Sequence, residues 1–134
     1  LACDLLVASE SAKFSDTHGK WAMTPTWGMT QRLPRRVGLI QAKEIMFTGR
    51  VVSGPEAVQL GLANTCVADE DLITATMELA RQIVSNSWHT LRADKSLINS
   101  GLDLSMSEGL QYERENSPGP GPDMAERLAG FGKK

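Results

Sequence analysis

The residues from Lys13 to Arg36, K-F-S-D-T-H-G-K-W-A-M-T-P-T-W-G-M-T-Q-R-L-P-R-R, differ in character from the rest of the chain. Between Asp16 and Gly28 the apolar residues follow neither the two-residue period of a strand nor the 3.6-residue period of a helix. Glycine and proline interrupt the segment, which is typical of a loop. Because loops held by a rigid scaffold often carry binding groups, we expect this stretch to form one wall of a binding site.

Short apolar runs on both sides of the loop predict strands. The first run, D-L-L-V-A, is rich in Leu and Val and suits a strand that is buried on both faces. The predicted strands are Asp4–Ala8, Ala12–Ser15 and Leu62–Val67.

Helices are predicted between the loop and the last of these strands. Thr30 is a candidate cap, although Pro34 removes a backbone donor and favours a late or broken start. Gly49 stands where a left-handed residue would end the next helix, and Ser53 with Glu56 matches a capping box for a third. One face of the middle helix carries Leu39, Ala42, Ile45 and Met46.

The second half of the sequence is predicted to be helical. Asp69 is a candidate cap for a helix over residues 72–84, and Ser87, Ser105 and Asp123 are candidate caps for three more. The first helix has an apolar face at Leu72, Ala75 or Thr76, Leu79 and Ile83. In the second, Trp88, Leu91 and Ile98 are expected to face inward. These thin apolar faces suggest helices that pack against another subunit.

Composition excludes several classes of protein. The 134 residues suffice for one core, and an apolar content of 41% is ordinary for a globular chain. A net charge of -2 gives no electrostatic footprint for nucleic acid, and no apolar run approaches a membrane span. The two cysteines, Cys3 and Cys66, form neither a disulfide framework nor a zinc pattern, so we expect buried thiols in a reducing compartment.

The amino-terminal end lacks Met and begins within an apolar run, L-A-C-D-L-L-V-A-S. It does not have the layout of a signal peptide. We therefore expect a fragment of a longer chain, with a processed terminus as the alternative.

Several motifs, in order, resemble the central segment of the crotonase (enoyl-CoA hydratase/isomerase) superfamily. They are Cys3-Asp4 before a strand, Ala12-Lys13-Phe14, T-Q-R-L-P-R-R-V-G from Thr30, M-F-T-G-R from Met46, and A-x-x-x-G-L from Ala57. The resemblance covers essentially the whole chain. It implies an α/β fold in which residues 1–68 form the C-terminal part of a ββα spiral core. Residues 69–134 would then form a helical oligomerisation region of a homotrimer or a dimer of trimers.

The resemblance also implies an activity, which is hydration of a 2-enoyl-CoA in fatty-acid catabolism, or isomerisation, through an oxyanion-stabilised enolate. The backbone donors for that oxyanion and the first catalytic carboxylate would precede Leu1. Coenzyme A would enter only as part of the substrate, with no separate cofactor or metal. The expected compartment is the cytoplasm, or the mitochondrial matrix or peroxisome of a eukaryote. A non-catalytic or truncated protein with a scaffold role is the alternative.

The family's second catalytic carboxylate lies four residues after the Phe of A-K-F, and this chain has His18 there. Imidazole transfers protons near pH 7, so His18 and the nearby Asp16 are the candidate catalytic residues. The alternatives for His18 are a structural histidine bonded to Asp16 and a solvated loop residue. The alternative for Asp16 is a carboxylate that bonds its own backbone in a turn.

The resemblance assigns the remaining site residues. The candidate substrate-binding residues are Trp21, Pro25, Thr26 and Trp27, with packing inside the protein as the alternative for the two tryptophans. Lys133 and Lys134 are candidates for binding the nucleotide of CoA, with a disordered charged tail as the alternative. The cluster of Arg32, Arg35 and Arg36 is expected to include ion-pair partners at subunit contacts, with phosphate binding as the alternative.

Overall fold

The computed structural model describes residues 1–131, and the chain divides into two compact units, Leu1–Glu78 and Leu79–Lys134. The division falls within a helix, ten residues after the boundary that the sequence suggested at residue 68. Each unit is considered by itself below.

Two short pairs of strands organise the first unit. Strand β1 (Val7–Ser9) pairs in parallel with β4 (Thr65–Val67), and β2 (Lys13–Phe14) pairs antiparallel with β3 (Val52–Ser53). The first run was correctly predicted to contain a strand, but the strand begins three residues later than expected. Of its three residues only Ala8 is fully buried.

Three α-helices lie entirely within the first unit, and they are α1 (Met29–Val37), α2 (Leu39–Thr48) and α3 (Gly54–Gln59). Helix α1 starts from Gly28, whose φ of 85° is left-handed, so the prediction of Thr30 as its cap is wrong. The helix also continues through Pro34. Gly49 ends α2 with a φ of 58°, which confirms the predicted left-handed cap.

The capping box predicted for α3 forms only in part. The Ser53 side chain accepts a hydrogen bond from the backbone N–H of Glu56 at 3.4 Å. The Glu56 carboxylate does not return the bond, because it accepts from Nη1 of Arg50 at 2.6 Å instead.

The core of the first unit is built from small and branched side chains. Ala42 and Ile45 of α2 are buried and Met46 packs against the core, as predicted, but Leu39 is 60% exposed. The buried set is Ala8, Leu33, Ala42, Ile45, Val52, Ala57, Leu62 and Ala63.

The remaining helices are α4 (Leu72–Val84), α5 (Trp88–Gly101), α6 (Met106–Asn116) and α7 (Met124–Ala129). The capping box at Ser105 and Glu108 is confirmed, with both reciprocal hydrogen bonds present. Asp69 and Asp123 do not act as side-chain caps. The Asp69 carboxylate accepts from the backbone N–H of Ser11, and that of Asp123 accepts from Ser87 and Arg127.

Apolar side chains remain exposed throughout the described part of the second unit. No residue between 79 and 131 is buried. Trp88 and Ile98 are 64% and 62% exposed, so the prediction that they face inward is wrong for this chain. Helical periodicity gives the apolar face correctly, but burial requires a partner surface.

Candidate active site

The loop after β2 folds back on itself at its start. A single turn of 3-10 helix spans His18–Trp21 and ends at Ala22, whose φ of 53° is left-handed. Asp16 lies two residues before this turn, and its carboxylate reaches back to the backbone N–H of His18, the first residue of the turn.

Asp16 and His18 form a hydrogen-bonded pair. Oδ1 of Asp16 accepts from the backbone N–H of His18 at 3.0 Å, and the same oxygen contacts the ring nitrogen Nδ1. The Asp16 side chain is 2% exposed, whereas the His18 side chain is 24% exposed. The pair thus has a buried carboxylate on one side and an accessible imidazole on the other.

Gly49 allows the buried end of the pair to fit. Its carbonyl oxygen accepts from Oγ of Ser15 at 3.0 Å, which joins the end of α2 to the residue before Asp16. A Cβ at Gly49 would lie 3.0 Å from the carbonyl oxygen of Asp16 and 2.9 Å from Cε of Lys20. The absence of a side chain therefore permits the close approach of the two segments.

The candidate substrate-binding residues lie farther along the same loop. Trp21 and Trp27 are 70% and 85% exposed, Thr26 is exposed and Pro25 is half-buried. The backbone at Trp27 is held from the following helix, since Nη1 of Arg32 donates to its carbonyl oxygen at 3.2 Å. The two indole rings are thus presented to solvent on a loop whose end is fixed to α1.

Arg36 has a structural function that the sequence did not indicate. Its Nη2 donates to the carbonyl oxygens of Cys3 and Asp4, both at 3.0 Å. Nη1 of the same guanidinium is buried without a hydrogen-bond partner. Arg36 therefore joins α1 to the segment that precedes β1. Nothing in the sequence distinguishes Arg36 from its basic neighbours, Arg32 and Arg35.

A shallow cavity of about 300 Å³ lies within the second unit, and the sequence did not predict it. Its lining includes Ser87, Asp123 and Arg127, which form a hydrogen-bonded chain. The hydrogen bonds from Arg127 and Ser87 lower the pKa of the Asp123 carboxyl below its usual value. Leu128 adds an apolar side chain to the rim.

The other predicted site features are limited by what the structure describes. Lys133 and Lys134 lie outside the described residues. Within residues 1–131, no group of three or more His, Cys, Asp and Glu side chains is arranged to hold a metal ion. Over the same residues, no helix has both the length and the apolar character that a membrane crossing requires.

Comparison with known proteins gives consistent matches. The family model described as enoyl-CoA hydratase/isomerase matches residues 1–121. An Arabidopsis thaliana protein named "Probable enoyl-CoA hydratase 1, peroxisomal" is 37% identical over 87% of this chain and 44% of its own length. The crystal structure of an enoyl-CoA hydratase from Bacillus anthracis has a TM-score of 0.93 and 36% identity. That match covers 98% of this chain and 52% of the other.

A second solved structure contains a ligand. It is a Thermobifida fusca protein in complex with acetoacetyl-CoA, with a TM-score of 0.81 and 28% identity over 96% of this chain and 48% of the other. The chain thus spans about half the length of these relatives. The fold agrees with the predicted crotonase-like class, and the family model covers most of the sequence. The chain belongs to the enoyl-CoA hydratase/isomerase family.

Proposed function

We propose that this protein acts on an acyl-CoA thioester and catalyses the hydration of a 2-enoyl-CoA in fatty-acid catabolism. The observation that carries the proposal is the Asp16–His18 pair, in which a buried carboxylate holds an accessible imidazole. Family membership supports the substrate class, and the acetoacetyl-CoA complex of the Thermobifida fusca protein agrees with it. Isomerisation is the alternative reaction, since both pass through an enolate.

In the proposed mechanism His18 transfers the proton. Addition of water to a 2-enoyl thioester requires a base for the water and an acid for the α-carbon. Imidazole fills either role near pH 7, because its unperturbed pKa lies close to that value. The hydratases that this chain resembles use a carboxylate at this position. Compared with a carboxylate at this position, His18 changes the charge of the site but still offers a group that can transfer a proton.

The exposed loop residues are proposed to contact the acyl group. Trp21 and Trp27 offer large apolar surfaces, and Pro25 and Thr26 lie beside the second of them. Aromatic side chains gain binding energy when a ligand covers their surface. A bound acyl chain would therefore stabilise a loop that is otherwise open to solvent.

Lys133 and Lys134 are proposed to bind the phosphates of CoA. Their replacement by Ala together should raise KM for the thioester several-fold and leave kcat nearly unchanged, with a smaller effect at high salt. Steady-state kinetics at two ionic strengths measures both. An unchanged KM at low salt would support the alternative of an uninvolved charged tail.

The exposed apolar side chains of the second unit support assembly into a homotrimer or a dimer of trimers. We also propose a cytoplasmic location, with the mitochondrial matrix or peroxisome as alternatives in a eukaryote, and the name of the Arabidopsis thaliana relative includes the last of these. Fractionation of the source cell with an antibody against the protein would test the compartment.

Turnover of 2-enoyl-CoA tests the activity, with His18→Ala compared against the wild-type protein. His89→Ala is the matched control, because His89 is the other histidine of the chain and bonds the carbonyl of Gly119 instead. Loss of a general acid–base group should lower kcat about 100-fold or more. Binding of CoA without turnover by the wild-type protein would instead support the non-catalytic scaffold.

A further inference from the structure

Asp16 makes two contacts with His18, and an ordinary turn would need only one of them. An aspartate that accepts a hydrogen bond from the backbone N–H two residues later makes an ordinary Asx turn. Here the same oxygen also contacts Nδ1 of the imidazole. The second contact fixes the orientation of the ring as well as the path of the backbone.

The contact also determines which ring nitrogen carries the proton. An ionised carboxylate can only accept hydrogen bonds, and a neutral imidazole has one N–H donor and one lone pair. Nδ1 must therefore be the protonated nitrogen of neutral His18. The lone pair is then on Nε2, the ring nitrogen that Asp16 does not contact.

His89 provides the opposite case in the same chain. Its Nε2 lies 3.1 Å from the carbonyl oxygen of Gly119. Because a carbonyl oxygen is only an acceptor, Nε2 of His89 must carry the hydrogen. The two histidines of this protein are therefore expected to be in different tautomers.

We propose that Asp16 is a positioning residue that holds His18 in the Nδ1–H tautomer and so makes Nε2 the nitrogen that exchanges a proton with the substrate. The catalytic part of this inference rests on the proposed function, whereas the tautomer does not. When Nε2 takes a proton the ring becomes an imidazolium, and the ionised Asp16 balances its charge. Nε2 then returns that proton, while Nδ1–H and the carboxylate remain as they were.

Burial strengthens the positioning. The carboxylate is almost inaccessible, so water does not compete effectively for Oδ1. The surrounding segment is held by Ser15 and Gly49, and the stem of Lys20 lies over Gly49. Asp16 therefore presents a fixed acceptor to a ring that is itself accessible.

Nitrogen-15 NMR of protein labelled at histidine tests the tautomer directly, at an alkaline pH where both rings are neutral. Two imidazoles are expected, and His89→Ala assigns them. The inference predicts an Nδ1–H pattern for His18 and an Nε2–H pattern for His89. An Nε2–H pattern for His18 in the wild-type protein would overturn it, and this result needs no variant at the site.

Two variants separate positioning from a general structural effect. Asp16→Ala removes the acceptor and should release His18 into a mixture of tautomers, while a melting midpoint close to that of the wild type reports an intact fold. Asp16→Asn keeps an oxygen acceptor in place and should restore the Nδ1–H pattern. A His18 tautomer that is the same in Asp16→Ala as in the wild type would contradict the inference.

Kinetics with 2-enoyl-CoA tests whether Asp16 acts through His18. Asp16→Ala should lower kcat by at least about 10-fold with little change in KM, and adding it to His18→Ala should cause no further loss. The positioning role would be overturned if the kcat losses of the two single variants multiplied in the double variant. It would also be overturned if Asp16→Ala changed only KM. Absence of turnover in the wild type would instead remove the proposed function and leave the tautomer result standing.

Discussion

At the scale of single residues, the candidate site depends on a few positions with restricted backbone geometry. Asp16 bonds the backbone N–H and the ring of His18 where the chain turns after β2, and this segment fits against the end of α2 because Gly49 has no side chain. The residue spacing alone did not show that the two side chains bond, because the apolar pattern of the loop matches neither a strand nor a helix.

Gly49→Ala should destabilise the first unit. The φ of 58° is left-handed, which costs a residue with a Cβ about 1–2 kcal/mol, and the new methyl group would crowd the carbonyl oxygen of Asp16. Urea denaturation measures the loss as a lower free energy of unfolding. Gly101→Ala is the control, because a Cβ there meets nothing within 4 Å and the position ends α5. Equal stability of the two variants would contradict this account of Gly49.

At the scale of secondary-structure elements, caps were the least predictable feature. The Ser105–Glu108 box is entirely local, and it forms as the sequence indicated. Asp69 and Asp123 have the right spacing but bond Ser11 and Ser87, which are distant in sequence. A local pattern cannot reveal a competing acceptor or donor that only the tertiary fold brings near.

The hydrogen bonds of Asp123 join the start of α5 to α7 and should make stability depend on pH. The pKa of the Asp123 carboxyl is lowered by its hydrogen bonds to Arg127 and Ser87. The ionised carboxylate therefore stabilises the folded state above the ordinary pKa of 3.8, and this stabilisation is lost as the pH falls through the lower pKa of the folded protein. Asp123→Asn should therefore lower the thermal midpoint near pH 7.

The same comparison near pH 2 should show a smaller difference between Asp123→Asn and the wild type. Circular dichroism melting curves measure both. Asp94→Asn is the control, because Asp94 is an exposed residue of α5 with no hydrogen bond to Ser87 or Arg127. If the difference in thermal midpoint stayed constant with pH, the charge of Asp123 would not be the source of the stabilisation.

At the scale of the whole molecule, the sequence allowed the family and fold class to be predicted because T-Q-R-L-P-R-R-V-G and M-F-T-G-R occur together and in order. It did not reveal which apolar faces this chain covers. Trp88 and Ile98 have the helical spacing of buried residues but remain exposed, because spacing identifies a face and not the surface that packs against it.

The exposed face of α5 makes assembly testable. Sedimentation velocity should show a trimer or hexamer, and Ile98→Lys should shift the protein toward smaller species by placing a charge in an apolar contact. Ser96→Lys, at an exposed polar position of the same helix, should leave the assembly unchanged. A stable wild-type monomer at micromolar concentration would contradict the proposed trimer.

The proposed activity depends most directly on proton transfer at His18. The decisive measurement is the rate at which the purified protein removes the ultraviolet absorbance of a short-chain 2-enoyl-CoA, for the wild type, His18→Ala and His89→Ala. We expect turnover by the wild type and by His89→Ala, and a decrease in kcat of about 100-fold or more in His18→Ala. Equal kcat values in the two histidine variants would contradict a catalytic role for His18.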